Sequence, residues 1–282
     1  MPDTFRYQAG GALVPGNRSY IKRAADDELF EALDSGEFCS VLAPRQIGKS
    51  SLLAQTVERV RAAGFHFATA NLQAGADVKS EKEWYEGIIR QLAETGALNP
   101  DFTVPFEWDS WLDCQRGSYP DRFIAFLREA FLDASSQRWV VAIDEIDATL
   151  NHPFSASFFA AIRLCHDFRP GQPVFRRLSF VLLGVATPSE LIQHRTRTPF
   201  NIGRRIEMTD FTRTEAGALA AGLPLPPALQ DRTLDRVFHW TDGQPFLTQV
   251  VCDELARSWR RDPPPADAEA VGASFEDLTA AR

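Results

Sequence analysis

The stretch Phe38–Leu53, FCSVLAPRQIGKSSLL, limits what this chain can fold into more than any other. A short apolar run, Cys39 to Leu42, meets a loop that ends in Gly48-Lys49-Ser50, where an amphipathic helix opens. Strand, loop and helix in that order are the grammar of a phosphate-binding P-loop. Main-chain N–H groups at the positive end of a helix dipole can surround phosphate oxygens, and the loop residues Ala43, Pro44, Arg45, Gln46 and Ile47, with Ser51 just after it, are the candidates to line them. Lys49 places a point charge at the β- and γ-phosphates, and Ser50 offers a hydroxyl to Mg²⁺. Gly48 lets the backbone approach where a Cβ would obstruct. Ala43 stands where GxxxxGK[ST] has its first Gly, which is tolerable only if its φ stays negative.

A second motif lies almost a hundred residues on. Trp139-Val140-Val141-Ala142-Ile143 is apolar without alternation, as in a strand covered on both faces, and delivers Asp144-Glu145 at its C-terminal end. Asp144 is the candidate to hold Mg²⁺ with Ser50, and Glu145 to polarise an attacking water. The same acidic run, Asp144-Glu145-Ile146-Asp147, also reads as a capping turn after a strand, with Asp147 as the cap. Thr187, at the tip of a further apolar strand (Leu178 to Val185), either reaches the γ-phosphate or lytic water or caps the helix that begins at Pro188. Arg195, Arg197, Arg204 and Arg205 form a basic cluster, suited to transition-state charge or to surface ion pairs.

Composition narrows the class. With 282 residues, 44% of them hydrophobic, including 21 Phe and 6 Trp, the chain can bury a substantial core. A net charge of −8 argues against wholesale binding to nucleic acid or to anionic membranes. The four cysteines are scattered, without a C-x-x-C pair, and three sit in apolar sequence as buried thiols would; with the five histidines they make no zinc spacing. No apolar run approaches the length of a membrane span and the first residues are polar and glycine-rich, so the expected location is a reducing cytoplasm.

In chain order, residues 1–36 read as an extended arm and a helix from Ala24 to Leu33. Residues 37–210 read as the phosphate-binding core. Leu53, Val57 and Val60 mark the helix after the loop, Phe65 to Leu72 a strand, and Glu83 to Ala93 a helix with Trp84, Ile88 and Leu92 on one face. A Pro- and Trp-rich loop of unusual length follows. The next helix, from Pro120, carries Phe123, Phe126, Leu127, Ala130 and Phe131 as a stripe. After a helix near Ser157–Phe168 and a short last strand at Ile206, the pattern becomes helical only: Thr212 to Leu223, Pro226 to Trp240, and a helix after Gly243-Gln244-Pro245 with Leu247, Val251, Leu255 and Trp259 on one face. Residues 211–261 thus read as a helical lid, and 262–282, opening with Pro263-Pro264-Pro265, as a linker.

These residues resemble the AAA-like domain of the STAND class, signal-transducing P-loop ATPases. The likeness rests on Tyr20-Ile-Lys-Arg-Ala-Ala-Asp, Ala43-Pro-Arg-Gln-Ile-Gly-Lys-Ser-Ser-Leu, Ile143-Asp-Glu-Ile-Asp, Phe158-Phe-Ala-Ala-Ile-Arg, Gly184-Val-Ala-Thr-Pro-Ser-Glu-Leu-Ile, Thr198-Pro-Phe-Asn-Ile-Gly-Arg and Trp240-Thr-Asp-Gly-Gln-Pro-Phe-Leu-Thr-Gln. The resemblance implies an α/β P-loop NTPase three-layer sandwich with a parallel five-stranded sheet in 5-1-4-3-2 order and a C-terminal helical lid. It also implies that Gly243 and Pro245 contact adenine, that Tyr20 and Arg23 belong to a segment packed near the base, and that the cofactors are ATP or ADP with Mg²⁺. STAND proteins commonly join such a core to effector and sensor modules and oligomerise with ATP. No winged helix is recognisable after the polyproline break.

Three readings follow: a slow ATPase serving as a regulatory switch in bacterial signalling or defence, with homo-oligomers or effector and sensor modules as partners; a DNA-associated initiator-like ATPase, which the acidic balance disfavours; and a scaffold that holds ADP without turnover, favoured by Ala43 and opposed by Glu145.

Overall fold

The computed structural model describes residues 5–185 and 199–261. Thr187, Arg195, Arg197, the expected helix start at Pro188 and the expected linker over 262–282 lie outside the described residues. Two compact units are present, one within Asp27–Pro44 and Thr56–Met208, the other within Met1–Asp26, Arg45–Gln55 and Thr209–Arg282.

The first unit holds the sheet. Its strands are β1 (Cys39–Leu42), β2 (His66–Asn71), β3 (Trp139–Asp144), β4 (Leu178–Gly184) and β5 (Arg204–Arg205), in the order β2-β3-β4-β1-β5. Every pairing is parallel. This is the expected 5-1-4-3-2 order read from the other edge. The register sets Asn71 opposite Asp144 and Leu42 opposite Gly184, so the tips of β1, β3 and β4 end at one edge of the sheet. Strands β1 and β4 are buried throughout and β3 up to its last residue, which is why their sequences run apolar without alternation.

Helices surround this sheet. They include α3 (Glu81–Gly96), α4 (Trp108–Cys114), α5 (Tyr119–Phe126) and α6 (Ser155–Asp167), while α1 (Ala24–Asp34) and α2 (Lys49–Ala62) have residues in both units. A core of aromatic side chains fills the space between. Trp139 lies flat on Phe131 with centroids 4.0 Å apart, and Phe102 meets Trp139 edge-on at 4.7 Å. Trp84 meets Phe158 at 4.9 Å. Each such side chain, fully buried, contributes roughly 1.5–3 kcal/mol.

Three differences from the sequence reading have local causes. The stretch expected as a long loop contains α4. The stripe Phe123, Phe126, Leu127, Ala130 and Phe131 is fully buried as expected, but Leu127–Leu132 winds as a π-helix, which an apolar stripe cannot distinguish from α. Thr212–Leu223, expected as helical, is helical over Glu215–Gly222 but in the 3₁₀ form, where Gly217 and Gly222 weaken the α form and Pro224 ends it.

The outer edge of β2 is closed by side chains. Asn99 accepts from the Phe67 N–H (2.8 Å) and donates to the Phe67 carbonyl (2.8 Å). Thr95 does the same for Thr69, at 2.9 Å each way, and Gln91 for Asn71, at 2.9 and 3.3 Å. Spacing of four along a helix matches spacing of two along a strand, so one face of α3 and the turn after it replaces a missing neighbour strand.

The second unit is helical: the 3₁₀ segment Glu215–Gly222, α7 (Pro227–Thr241) and α8 (Pro245–Arg261). Its core joins Phe5, Tyr7 and Ile21 from the N-terminal arm to Leu219, Leu234, Val237, Cys252, Leu255 and Trp259. Gly222 is required there, since a Cβ would stand 2.3 Å from the Phe5 ring. On α8 the expected apolar face is only partly used. Leu247 is exposed, whereas Thr248 and Gln249 are buried, Thr248 hydrogen-bonding Thr241 at 3.0 Å and Gln249 donating to the Ser19 carbonyl at 2.7 Å.

Candidate phosphate-binding site

From Arg45 onward the phosphate loop belongs to the helical unit. Gln46 has φ 65° and Gly48 φ 97°, two left-handed residues that turn the chain into α2. The helix begins at Lys49, and the Leu52 N–H donates to the Gly48 carbonyl at 2.9 Å as its first turn closes. Lys49 and Ile47 are buried, while Arg45, Gln46 and Ser50 are exposed. Ser51 is turned to the arm, its Oγ accepting from the Leu13 N–H at 3.0 Å.

Residues from three parts of the sequence meet this loop within the same unit. Arg23 donates through Nη1 to the Ile47 carbonyl (2.8 Å) and to the Thr209 carbonyl (3.2 Å), with its guanidinium 5.4 Å from the Phe211 ring centroid. Burial lowers its pKa from the ordinary arginine value, with Tyr20 and Asp26 acting in the opposite direction. Tyr20 donates to Asp26 Oδ1 at 2.5 Å, and Asp26 Oδ2 accepts from the Arg23 N–H at 2.9 Å. Burial raises the Tyr20 pKa, and the bond to Asp26 adds to the rise, so this phenol stays protonated. Gly243 has φ 76° and exchanges main-chain contact with Phe211, whose N–H donates to its carbonyl at 2.9 Å. Any Cβ at Gly243 would fall 2.2 Å from the Phe211 carbonyl oxygen. Pro245 is buried as the first residue of α8, and Gln244 donates from Nε2 to the Gln46 carbonyl at 3.4 Å. Tyr20, Arg23, Arg45 to Ser51, Gly243 and Pro245 thus fall in one unit.

Ala43, Pro44, Asp144 and Glu145 belong to the sheet unit. Ala43 continues β1, its N–H donating to the Gly184 carbonyl at 3.1 Å, and its φ is not positive, so the missing first Gly costs the loop no strain there. Asp144 ends β3 and accepts from the Glu145 N–H at 2.8 Å. Glu145 itself is left-handed, φ 55° and ψ 45°, a conformation a β-carbon disfavours and the surroundings must impose. One such restraint is Asp147, whose Oδ1 accepts from the Val185 N–H at 2.9 Å and so ties the acidic turn to the exit of β4. Gly184 permits that approach, because a Cβ there would lie 2.7 Å from Ile146 Cγ1. Arg204 pairs with Glu37 at 2.5 Å and Arg205 lies 4.0 Å from Glu207.

The sequence reading did not single out Gln244 or the Leu13–Ser51 contact, and it took Asp147 as a candidate cap of the acidic turn; Glu145 stands at the N-cap position with no side-chain cap bond, and Asp147 accepts from the Val185 N–H instead. The only signal was position: Gln244 lies inside the Gly-x-Pro turn, and Asp147 lies just past a strand tip.

Fold and loop together define a P-loop NTPase. The chain belongs to the AAA-like domain family, which it matches over residues 10–261. It is 37% identical over 281 residues to an uncharacterised WD repeat-containing protein of Synechocystis, an alignment covering 96% of this chain and 23% of that protein. The chain therefore spans about a quarter of the length of that relative. Among solved structures it is similar to a Walker-type ATPase of Pyrococcus abyssi, with a TM-score of 0.64 at 13% identity, covering 96% of this chain and 75% of that one. It is also similar to the ORC2 protein of Aeropyrum pernix in its ADPNP and ADP complexes, with a TM-score of 0.58 at 17% identity, covering 88% and 66%. At these identities the two structures speak to the fold alone. No helix among the described residues is long and apolar enough to cross a membrane, and no group of three or more His, Cys, Asp or Glu side chains among them forms a metal cluster.

Proposed function

We propose that this chain is the ATP-binding core of a STAND-type regulatory switch of the bacterial cytoplasm, one that hydrolyses ATP slowly and changes its assembly with the bound nucleotide. The observation that carries the reading is the loop itself: left-handed Gln46 and Gly48 leading into a helix that opens on a buried Lys49. In this reading, loop amides and Lys49 hold the β- and γ-phosphates, while Tyr20, Arg23, Gly243 and Pro245 border the adenine. Thr187 is the candidate in this reading to reach the γ-phosphate or the lytic water. The nucleotide complexes of the Aeropyrum protein support ATP as ligand. The WD repeats in the name of the Synechocystis relative support a sensor array joined to such a core, and with it the STAND assignment.

A hydroxyl such as that of Ser50 and a carboxylate such as that of Asp144 are hard oxygen donors of the kind magnesium prefers alongside phosphate oxygens and water, so each by its own chemistry is a candidate donor for that ion. Bound with the nucleotide, magnesium would neutralise charge developing on the phosphates. Glu145 takes a proton from the attacking water, and its left-handed backbone fixes where that carboxylate starts from the strand tip.

The test is Glu145→Gln, which removes the base and keeps the size. Expected are ATP affinity close to wild type, turnover reduced by about a hundredfold or more, and a larger mass by light scattering in ATP than in ADP. Turnover equal to wild type would refute the general-base role. Equal mass in both nucleotides would refute the switch, and stimulation by duplex DNA would favour the initiator-like reading.

A further inference from the structure

Two adjacent carbonyls of the phosphate loop are held from outside the loop. The Gln46 carbonyl accepts from Gln244 Nε2 at 3.4 Å, and the Ile47 carbonyl accepts from Arg23 Nη1 at 2.8 Å. A trans peptide is planar, with its C=O and the following N–H pointing in opposite directions. Fixing the Gln46 carbonyl therefore fixes the Ile47 N–H, and fixing the Ile47 carbonyl fixes the Gly48 N–H. These two amides stand immediately before Lys49.

Such fixing is needed because the local chain does not enforce it. Gly48, at φ 97°, tolerates either orientation of the preceding peptide at little cost, and Gln46, at φ 65°, sits in a region that non-glycine residues leave when nothing restrains them. Arg23 is well placed to restrain them. It is 6% exposed, packed over Phe211, anchored by its own N–H to Asp26, and tied through Thr209 to the chain leading into the helices of this unit. Gln244 is anchored as firmly, since its Oε1 accepts from the Leu247 N–H at 2.6 Å and its N–H donates to the Thr241 carbonyl at 2.9 Å.

We infer that Arg23 and Gln244 are positioning residues for phosphate recognition: by holding the Ile47 and Gln46 carbonyls outward, they aim the Gly48 and Ile47 amides at the polyphosphate. Neither side chain then needs to touch the anion. A further consequence is that the grip on phosphate depends on two segments distant in sequence, the end of the N-terminal arm and the α7–α8 turn, being seated on the loop. The inference rests on the reading of this loop as a polyphosphate site.

The experiment compares inorganic tripolyphosphate with ATP by titration calorimetry for wild type, Arg23→Met, Arg23→Lys, Gln244→Ala and Lys49→Ala, with thermal unfolding as the check on folding. Tripolyphosphate has no base, so a residue that serves only adenine leaves its affinity unchanged. Expected is a loss of about tenfold or more for Arg23→Met with tripolyphosphate, and one at least as large with ATP, as for a charge-assisted hydrogen bond. Arg23→Lys, which keeps one donor, recovers part of it. Gln244→Ala loses about threefold to tenfold for both ligands, and it decides the matter if Arg23→Met does not fold. Unchanged tripolyphosphate affinity in every folded Arg23 and Gln244 variant, with Lys49→Ala still weakened, overturns this inference and leaves the polyphosphate reading standing. Failure of wild type to bind either ligand overturns both.

Discussion

Replacing Asn99 tests whether side chains stand in for a missing strand at the edge of the sheet. Its amide closes both main-chain groups of Phe67, at 2.8 Å each, and also donates to the Gly96 carbonyl at 2.6 Å. Asn99 is 4% exposed and Phe67 likewise 4%, so water cannot replace these bonds without opening the edge. A buried group left unpaired costs roughly 1–3 kcal/mol, and Asn99→Ala strands two on Phe67, for a loss of roughly 2–6 kcal/mol. Burial falls along β2, with Thr69 half-buried and Asn71 exposed. Thr95→Val should accordingly lose roughly 1–2 kcal/mol, and Gln91→Ala less than about 0.5–1 kcal/mol because solvent reaches its partners. The assay is urea unfolding, read as a midpoint shift at constant slope, together with hydrogen exchange of the Phe67, Thr69 and Asn71 amides. Asn99→Asp separates hydrogen bonding from shape. It keeps the volume and the acceptor for the Phe67 N–H but sets a carboxylate against two carbonyls, so it should be at least as damaging as Ala. The reasoning is refuted if Asn99→Ala shifts the midpoint no more than Gln91→Ala, or if Asn99→Asp is silent.

Burial pushes the thiols of Cys39, Cys165 and Cys252 up to about 12, leaving a thiolate fraction near 10⁻⁴ at pH 8, whereas Cys114 is exposed. A thiol reagent should label one cysteine per chain quickly in the native protein and four in denaturant, with Cys114→Ser abolishing the fast phase; two fast thiols would contradict the packing. Gly184→Ala drives a Cβ to 2.7 Å from Ile146 Cγ1 and 3.0 Å from Asp147 Oδ1. Expected are a loss of about 1–3 kcal/mol by urea unfolding and a displaced acidic turn, read as lower turnover at unchanged ATP affinity; wild-type behaviour in both would show that β4 does not support Glu145.

The sheet was legible because β1, β3 and β4 are uninterrupted apolar runs with a loop motif or a carboxylate pair at their tips. Strand order was not in the residues; it came from the family resemblance, since local apolar patterns carry no information on which strand neighbours which. The helical unit was harder to read for a different reason. Its core takes Phe5, Tyr7 and Ile21 from the arm, and its buried polar residues Thr248 and Gln249 are satisfied by Thr241 and Ser19. Gln249, whose partner Ser19 lies 230 residues away, looks exposed to any local rule. The same applies to Gln244, which bonds the Gln46 carbonyl, and to the bond from the Val185 N–H to Asp147, whereas Lys49 and Asp144 stand out in the sequence through motif chemistry.

The most direct measurement is a calorimetric titration of wild type and Lys49→Ala with ATP in the presence of magnesium. The account predicts one ATP bound per wild-type chain and affinity reduced at least about tenfold on loss of the ammonium, as expected for a charge-assisted contact to phosphate. Equal affinity in the two proteins, or no binding by wild type, would contradict it.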